Sequence, residues 1–126
     1  FRQFVDAVLA MIPAQDDDLP CIGILSYTID QTIPGLTKKL RLARLDRHDE
    51  FIFTASIPVD HSSTIDVAVM KGAVGRVNEF AQSLFLERGV RHGVVALTPI
   101  EEVTEHHAHD GSEPHSHTHI RVPETF

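Results

Sequence analysis

Tryptophan is missing from this 126-residue chain, and tyrosine and cysteine occur once each. A single cysteine, Cys21, excludes an intrachain disulfide framework and suits a reducing, cytoplasmic setting. No apolar run approaches the roughly 20 residues of a membrane-spanning helix, and no signal peptide is visible. Positive charge is also scarce: 11 Lys and Arg against 18 Asp and Glu leave a formal charge of −7. Direct nucleic-acid binding needs a basic face, so this chain offers none unless an upstream domain is missing. The one basic cluster, Lys38, Lys39, Arg41, Arg44 and Arg47, reads as the solvated side of a helix. The first residue is Phe1 rather than Met, which leaves an upstream segment open.

Catalytic signatures are absent as well. There is no G-x-G-x-x-G, Walker or H-E-x-x-H motif. Ser62 and Ser63 adjoin His61, but sequence neighbours in a turn do not have triad geometry. The acidic run Asp16 to Asp18 is a solvated linker. The chain is read as non-enzymatic.

What is present is ordinary globular material, 42% hydrophobic and 23% charged, enough for one domain with one two-layer core. Seven phenylalanines replace tryptophan as core fillers. Phe1, Phe4, Val5, Val8, Leu9 and Ile12 fall at helical intervals, and Pro13 stops that helix. Residues 21–29 read as a strand, with Thr32 and Pro34 suited to a helix start. Ile33, Leu36, Leu40 and Ala43 give that helix its apolar face. Residues 51–59 alternate as a half-buried strand, "DHSS" is a turn, and Ile65, Val67 and Val69 alternate in the returning arm.

After Gly72 the period becomes 3.6: Val74, Val77, Phe80, Ala81, Leu84 and Phe85 share one helical face. Gly89 suits a positive-φ cap, and "GVVALTPI" is a final strand. The order is strand, helix, strand, strand, helix, strand. It predicts an α/β fold of ferredoxin-like type: a βαββαβ antiparallel sheet with helices on one face, plus an amino-terminal helix and a histidine-rich tail. The divisions expected are residues 1–19 (helix and acidic linker), 20–104 (the folded domain) and 105–126 (the tail). Ile24, Ile52 and Val95 would leave the other sheet face apolar, so a homo-oligomer, dimer or tetramer, is expected to cover it.

"GILSYTID", "VAVMKGAVGRVNEFAQSLFLERGVRHG" and the strand after them resemble the carboxy-terminal regulatory domain of nickel-responsive repressors. The similarity covers roughly residues 20–100, and "KG" at Lys71–Gly72 and "RGVRHG" at Arg88–Gly93 are its most specific pieces. The resemblance implies an ACT-like domain that tetramerises and binds nickel, joined in that family to a ribbon-helix-helix DNA-binding module. It also implies a nickel site made of an H-x-H pair, a downstream cysteine and a histidine from a neighbouring subunit. Matched by motif, those positions hold Ser56, Pro58, Thr64 and Leu45, none of them a strong nickel ligand.

The histidines lie elsewhere. Six of nine occupy "EHHAHDGSEPHSHTH": His106, His107, His109, His115, His117 and His119. Imidazole suits late first-row ions, so the tail is read as a transition-metal binder, nickel first, with zinc, copper or cobalt also admitted. In an extended segment His115, His117 and His119 share a side about 7 Å apart. Asp110 or Glu105 is an added donor candidate, and His61 in the hairpin turn and His48 in a polar loop are candidate completing ligands. Ile120 and Val122 suggest a strand able to pair with a sheet edge. His92 reads as structural or interfacial, and Cys21 as a buried inert thiol.

Two functions stay open. One is a metal-sensing regulatory protein; the other is an ACT-like small-molecule-binding or oligomerisation domain with a metal-buffering tail. In the second, Gly72, Gly75 and Gly93 would line an interface pocket.

Overall fold

The computed structural model describes residues 17–107 and 115–126. The helix expected over residues 1–12, together with His109 and Asp110, lies outside the described residues. The described chain runs β1 (Pro20–Asp30), α1 (Leu36–Leu45), a 3-10 turn (His48–Glu50), β2 (Phe51–Pro58), β3 (Ser63–Ala73), α2 (Val74–Phe85), β4 (Val90–Pro99), β5 (Glu101–His107) and β6 (His115–Arg121). Strands β1 to β4 form an antiparallel sheet in the order β2-β3-β1-β4, the ferredoxin-like arrangement. Strands β5 and β6 pair only with each other, in a separate two-stranded ribbon.

Alternation explains the sheet's two faces. Cys21, Leu25, Tyr27 and Ile29 of β1 are buried, as are Ala68 and Met70 of β3, whereas Ile22, Ile24 and Ser26 lie on the other side. The buried side meets Leu36 and Leu40 of α1 and all six apolar positions expected in α2. Each large aliphatic or aromatic side chain taken out of water there contributes about 1.5–3 kcal/mol. Phe51 closes the layer edge-on to Phe80, with ring centroids 5.1 Å apart.

Four local outcomes differ from the pattern read in the sequence. Helix α1 begins at Leu36 rather than near Thr32, because the Asp30 carboxylate captures the Thr32 amide and hydroxyl at 2.9 and 2.6 Å. Gly35 then turns the chain at φ 76°. In β2 the register shifts between Phe51 and Phe53, so Phe51 enters the core and Phe53 lies on the open face, 55% exposed. Val95 faces the helices and is buried, leaving Ile24, Phe53, Ile57 and Val94 as the exposed apolar set on the open face. Gly89 does carry positive φ, 92°, but α2 has already ended at a right-handed cap on Leu86.

Helix α2 has no side-chain cap at its start. Its first amides are satisfied instead by the preceding linker: Val74 N–H donates to the Leu19 carbonyl at 2.8 Å and Gly75 N–H to that of Asp17 at 2.9 Å. A β-carbon on Gly75 would stand 2.7 Å from Asp17 Cβ, and one on Gly93 would stand 2.5 Å from the Phe85 ring. Those two glycines permit close packing within the chain. His92 absorbs the irregular β1–β4 pairing with φ 54°, the structural role expected of it.

Candidate metal centre

Two of the family's donor positions, Ser56 and Thr64, come together, but around a carboxylate. Ser56 on β2 and Thr64 on β3 sit beside Asp66, which is buried on the helix side of β3. Ser56 Oγ donates to Asp66 Oδ1 at 2.7 Å and Thr64 Oγ1 to the same oxygen at 3.4 Å. Gln31 Nε2 donates to Thr64 Oγ1 at 3.0 Å. From α1, Arg44 Nη1 lies 3.8 Å from Asp66 Oδ2 and donates to the Tyr27 hydroxyl at 3.4 Å. Burial pushes the Tyr27 hydroxyl above its ordinary pKa, with Arg44 pulling the other way. This is a satisfied polar network in which hydroxyls and a guanidinium surround one acid. It supplies hard oxygen donors already committed to each other, and no imidazole or thiolate.

The basic cluster is likewise drawn into internal pairs. Lys39 meets Glu87 at 2.9 Å, and Arg47 meets Glu79 at 2.8 Å while its guanidinium lies 5.7 Å from the Phe80 ring centroid. With Arg44 turned to Asp66, three of its five members face acids of the same domain.

The histidine candidates are dispersed in the domain and gathered in the ribbon. His48 precedes β2 and His61 follows it, both exposed. Eight strand residues separate these ends by roughly 26 Å at about 3.3 Å per residue, so they do not share an ion within one chain. Among the described residues no three His, Cys, Asp or Glu side chains cluster as a metal site.

The tail strand suggested by Ile120 exists as β6, but it pairs with β5 and not with the sheet edge. Its register sets His119 opposite Val103, His117 opposite Glu105, His115 opposite His107 and Ser116 opposite His106. The ribbon leaves the sheet at buried Ile100, whose amide donates to the Pro20 carbonyl at 3.2 Å. Arg121 Nε pairs with Glu101 Oε1 at its base.

Cys21 is fully buried, and desolvation raises its thiol pKa from 9.0 to about 11, which keeps it the neutral thiol near pH 7. A polar cup of about 260 Å³ sits at the opposite end of the sheet, lined by Thr28, Asp30, Thr32, Ser63 and Arg91 among others. Hydrogen bonds from Thr32 hold the Asp30 carboxyl there below its ordinary pKa.

Sequence reasoning missed Asp66. Its signal was available: an acid at a core-side position of an apolar strand, in step with Ala68 and Met70.

Fold and site together define an ACT-like regulatory domain carrying a histidine-bearing ribbon. Residues 22–98 match the family described as the NikR C terminal nickel binding domain. The chain is 33% identical over 110 residues to a nickel-responsive regulator of Edwardsiella ictaluri, covering 87% of this chain and 71% of that protein. It is 35% identical over 80 residues to a putative nickel-responsive regulator of Brucella ovis, covering 64% of this chain and 61% of that one. The chain belongs to the nickel-responsive regulator family, whose members are named as regulators and not as enzymes. The chain therefore spans about two thirds of the length of these relatives. An uncharacterized protein from Thermotoga maritima shares the fold, with a TM-score of 0.53 and 16% identity over 64% of this chain and 96% of that one. No helix among the described residues is long and apolar enough to cross a membrane.

Proposed function

We propose that this chain is the regulatory part of a cytoplasmic nickel-responsive regulator in which tail histidines, not the family's usual donor positions, take the metal. One observation carries the reading: Ser56 and Thr64 are bonded to Asp66, while the β5–β6 register sets His107 opposite His115. Nickel is the first ion on family grounds, and imidazole donors also admit zinc, copper and cobalt. The apolar open face of the sheet, with Ile24, Phe53, Ile57 and Val94 exposed, supports assembly into a homo-oligomer.

The test is native mass spectrometry of the untagged chain titrated with nickel and zinc, beside a version ending at Thr104. Stoichiometric uptake at micromolar metal that disappears on truncation is expected. Uptake by neither chain, or equal uptake by both, overturns the reading. A small-molecule-binding function is the second reading, favoured by the polar cup around Asp30 and Arg91. It gains ground if the intact chain takes up no metal and a small carboxylate or amine raises its melting temperature.

A further inference from the structure

A cavity of about 490 Å³ lies where three stretches distant in sequence meet: the linker before β1, the base of the ribbon and the segment after β6. That volume is within the range of about 300–1,000 Å³ usual for small-molecule sites. Its walls are mostly apolar, formed by Leu19, Pro20, Pro99, Ile100, Pro123 and Phe126. They are also held in place. The Leu19 and Asp17 carbonyls accept the first amides of α2 at 2.8 and 2.9 Å, and Ile100 N–H donates to the Pro20 carbonyl at 3.2 Å. Arg121 pairs with Glu101 at the base of the ribbon. The three prolines stiffen the same walls by locking φ. A hollow built in this way needs little ordering to take a ligand.

Its polar chemistry is weighted towards acceptors. Proline has no N–H, the Ile100 N–H is spent on Pro20, and ionised carboxylates accept hydrogen bonds without donating them. Among the described residues lining the cavity, Thr125 has the one side-chain hydroxyl, and no lysine, arginine, histidine or amide side chain takes part. Three acids, Asp18, Glu101 and Glu102, border it, and Arg121 offsets one of them, Glu101. A ligand matched to these walls brings its own donors and a positive charge. Carboxylates, phosphates and nucleotides meet repulsion there. A neutral apolar ligand wins the walls and nothing from the acids. Phe126 adds an aromatic ring, a group that attracts cations.

We propose that this cavity binds a small organic ammonium, a protonated primary amine carrying an aromatic or branched aliphatic body. The body fills the space between the prolines and Phe126, and the ammonium meets the exposed Glu102 carboxylate. Glu101 stays with Arg121. The site shares no residue with the joint around Asp66 or with the polar cup around Asp30 and Arg91. It works without metal in the tail, so it stands or falls apart from the nickel reading. Its walls come from the linker, the ribbon base and the last residues, so an occupant ties these three together.

The experiment is a nuclear magnetic resonance titration of the full chain, without added metal, using phenethylamine, phenethyl alcohol and phenylacetate. The amine should give saturable shifts at the Leu19, Ile100 and Thr125 amides. It should bind about threefold to fivefold more tightly than the alcohol, as one exposed ion pair allows, and phenylacetate should not bind. Glu102→Gln should cancel the preference for amine over alcohol. Phe126→Ala should weaken both by about tenfold, the loss of an aromatic wall. Glu124→Gln removes an exposed acid outside the cavity and should behave as the parent does. Three results overturn the site: no saturable shift with the amine, equal binding of amine and alcohol by the parent, or the same loss of preference in Glu124→Gln as in Glu102→Gln. The last would trace the attraction to the chain's overall negative charge.

Discussion

Arg44 and Asp66 face each other across the gap between α1 and β3, guanidinium Nη1 to carboxylate Oδ2 at 3.8 Å, at the place where the family resemblance expects nickel donors. A fixed positive charge inside the domain and an acid shared by Ser56 and Thr64 make this corner of the fold a structural joint. Asp66→Ala should therefore destabilise the chain by about 1.5–3 kcal/mol, the range for hydrogen bonds to a charged group, since Arg44 and the hydroxyls lose a common partner. Urea unfolding checks it; a change below about 0.5 kcal/mol, ordinary for a surface substitution, would show that the network is idle.

Restoring the family's donors should restore the family's chemistry. The combined change Leu45→His, Ser56→His, Pro58→His and Thr64→Cys should add a thiolate-to-nickel charge-transfer absorption that the parent lacks, because the parent's only thiol is buried Cys21. A nickel-loaded quadruple variant without that absorption would mean that these four positions do not converge in the assembled protein.

Cys21 predicts a pH dependence. Its thiol is protonated up to about pH 11 in the folded chain, against 9.0 when unfolded. Below pH 9 both states hold the proton, so the contribution to stability is constant. Between pH 9 and about 11 only the unfolded state releases it, and stability falls as pH rises. The drop in urea midpoint over that window should be shallower in Cys21→Ala than in the parent, with Tyr27 titrating in both. Parallel curves would refute a buried, neutral thiol.

Assembly should depend on the open sheet face. Phe53→Asp places a charge amid Ile24, Ile57 and Val94 without touching the helix-covered core, and should lower the mass seen by light scattering. A parent that is already monomeric at micromolar concentration would remove the oligomer from the functional reading.

Much of the fold was legible because its periodicities are clean. The six apolar positions of α2 and the alternation of β1 and β3 needed only sequence spacing. The late start of α1 was not legible, since it depends on the Asp30 side chain outcompeting the helix for Thr32. The reversal along β2 follows from one bulge, which changes faces without leaving a compositional mark. In the candidate site the histidines announced themselves by composition. Their alignment with β5 did not, because it is fixed by which strand β6 chooses as partner.

Strand β1 lies between β3 and β4, with Cys21 aligned to Gly72 on one side and to Pro99 on the other. On the ribosome it is the first strand of this four-stranded sheet to be made and the last to gain both neighbours. Until Pro99 has cleared the exit tunnel, one edge of β1 has no native partner, and Leu25 and Ile29 lack part of their cover. A chain halted anywhere before β4 thus carries an unpaired sheet edge and uncovered apolar side chains, the features that chaperones and proteases recognise.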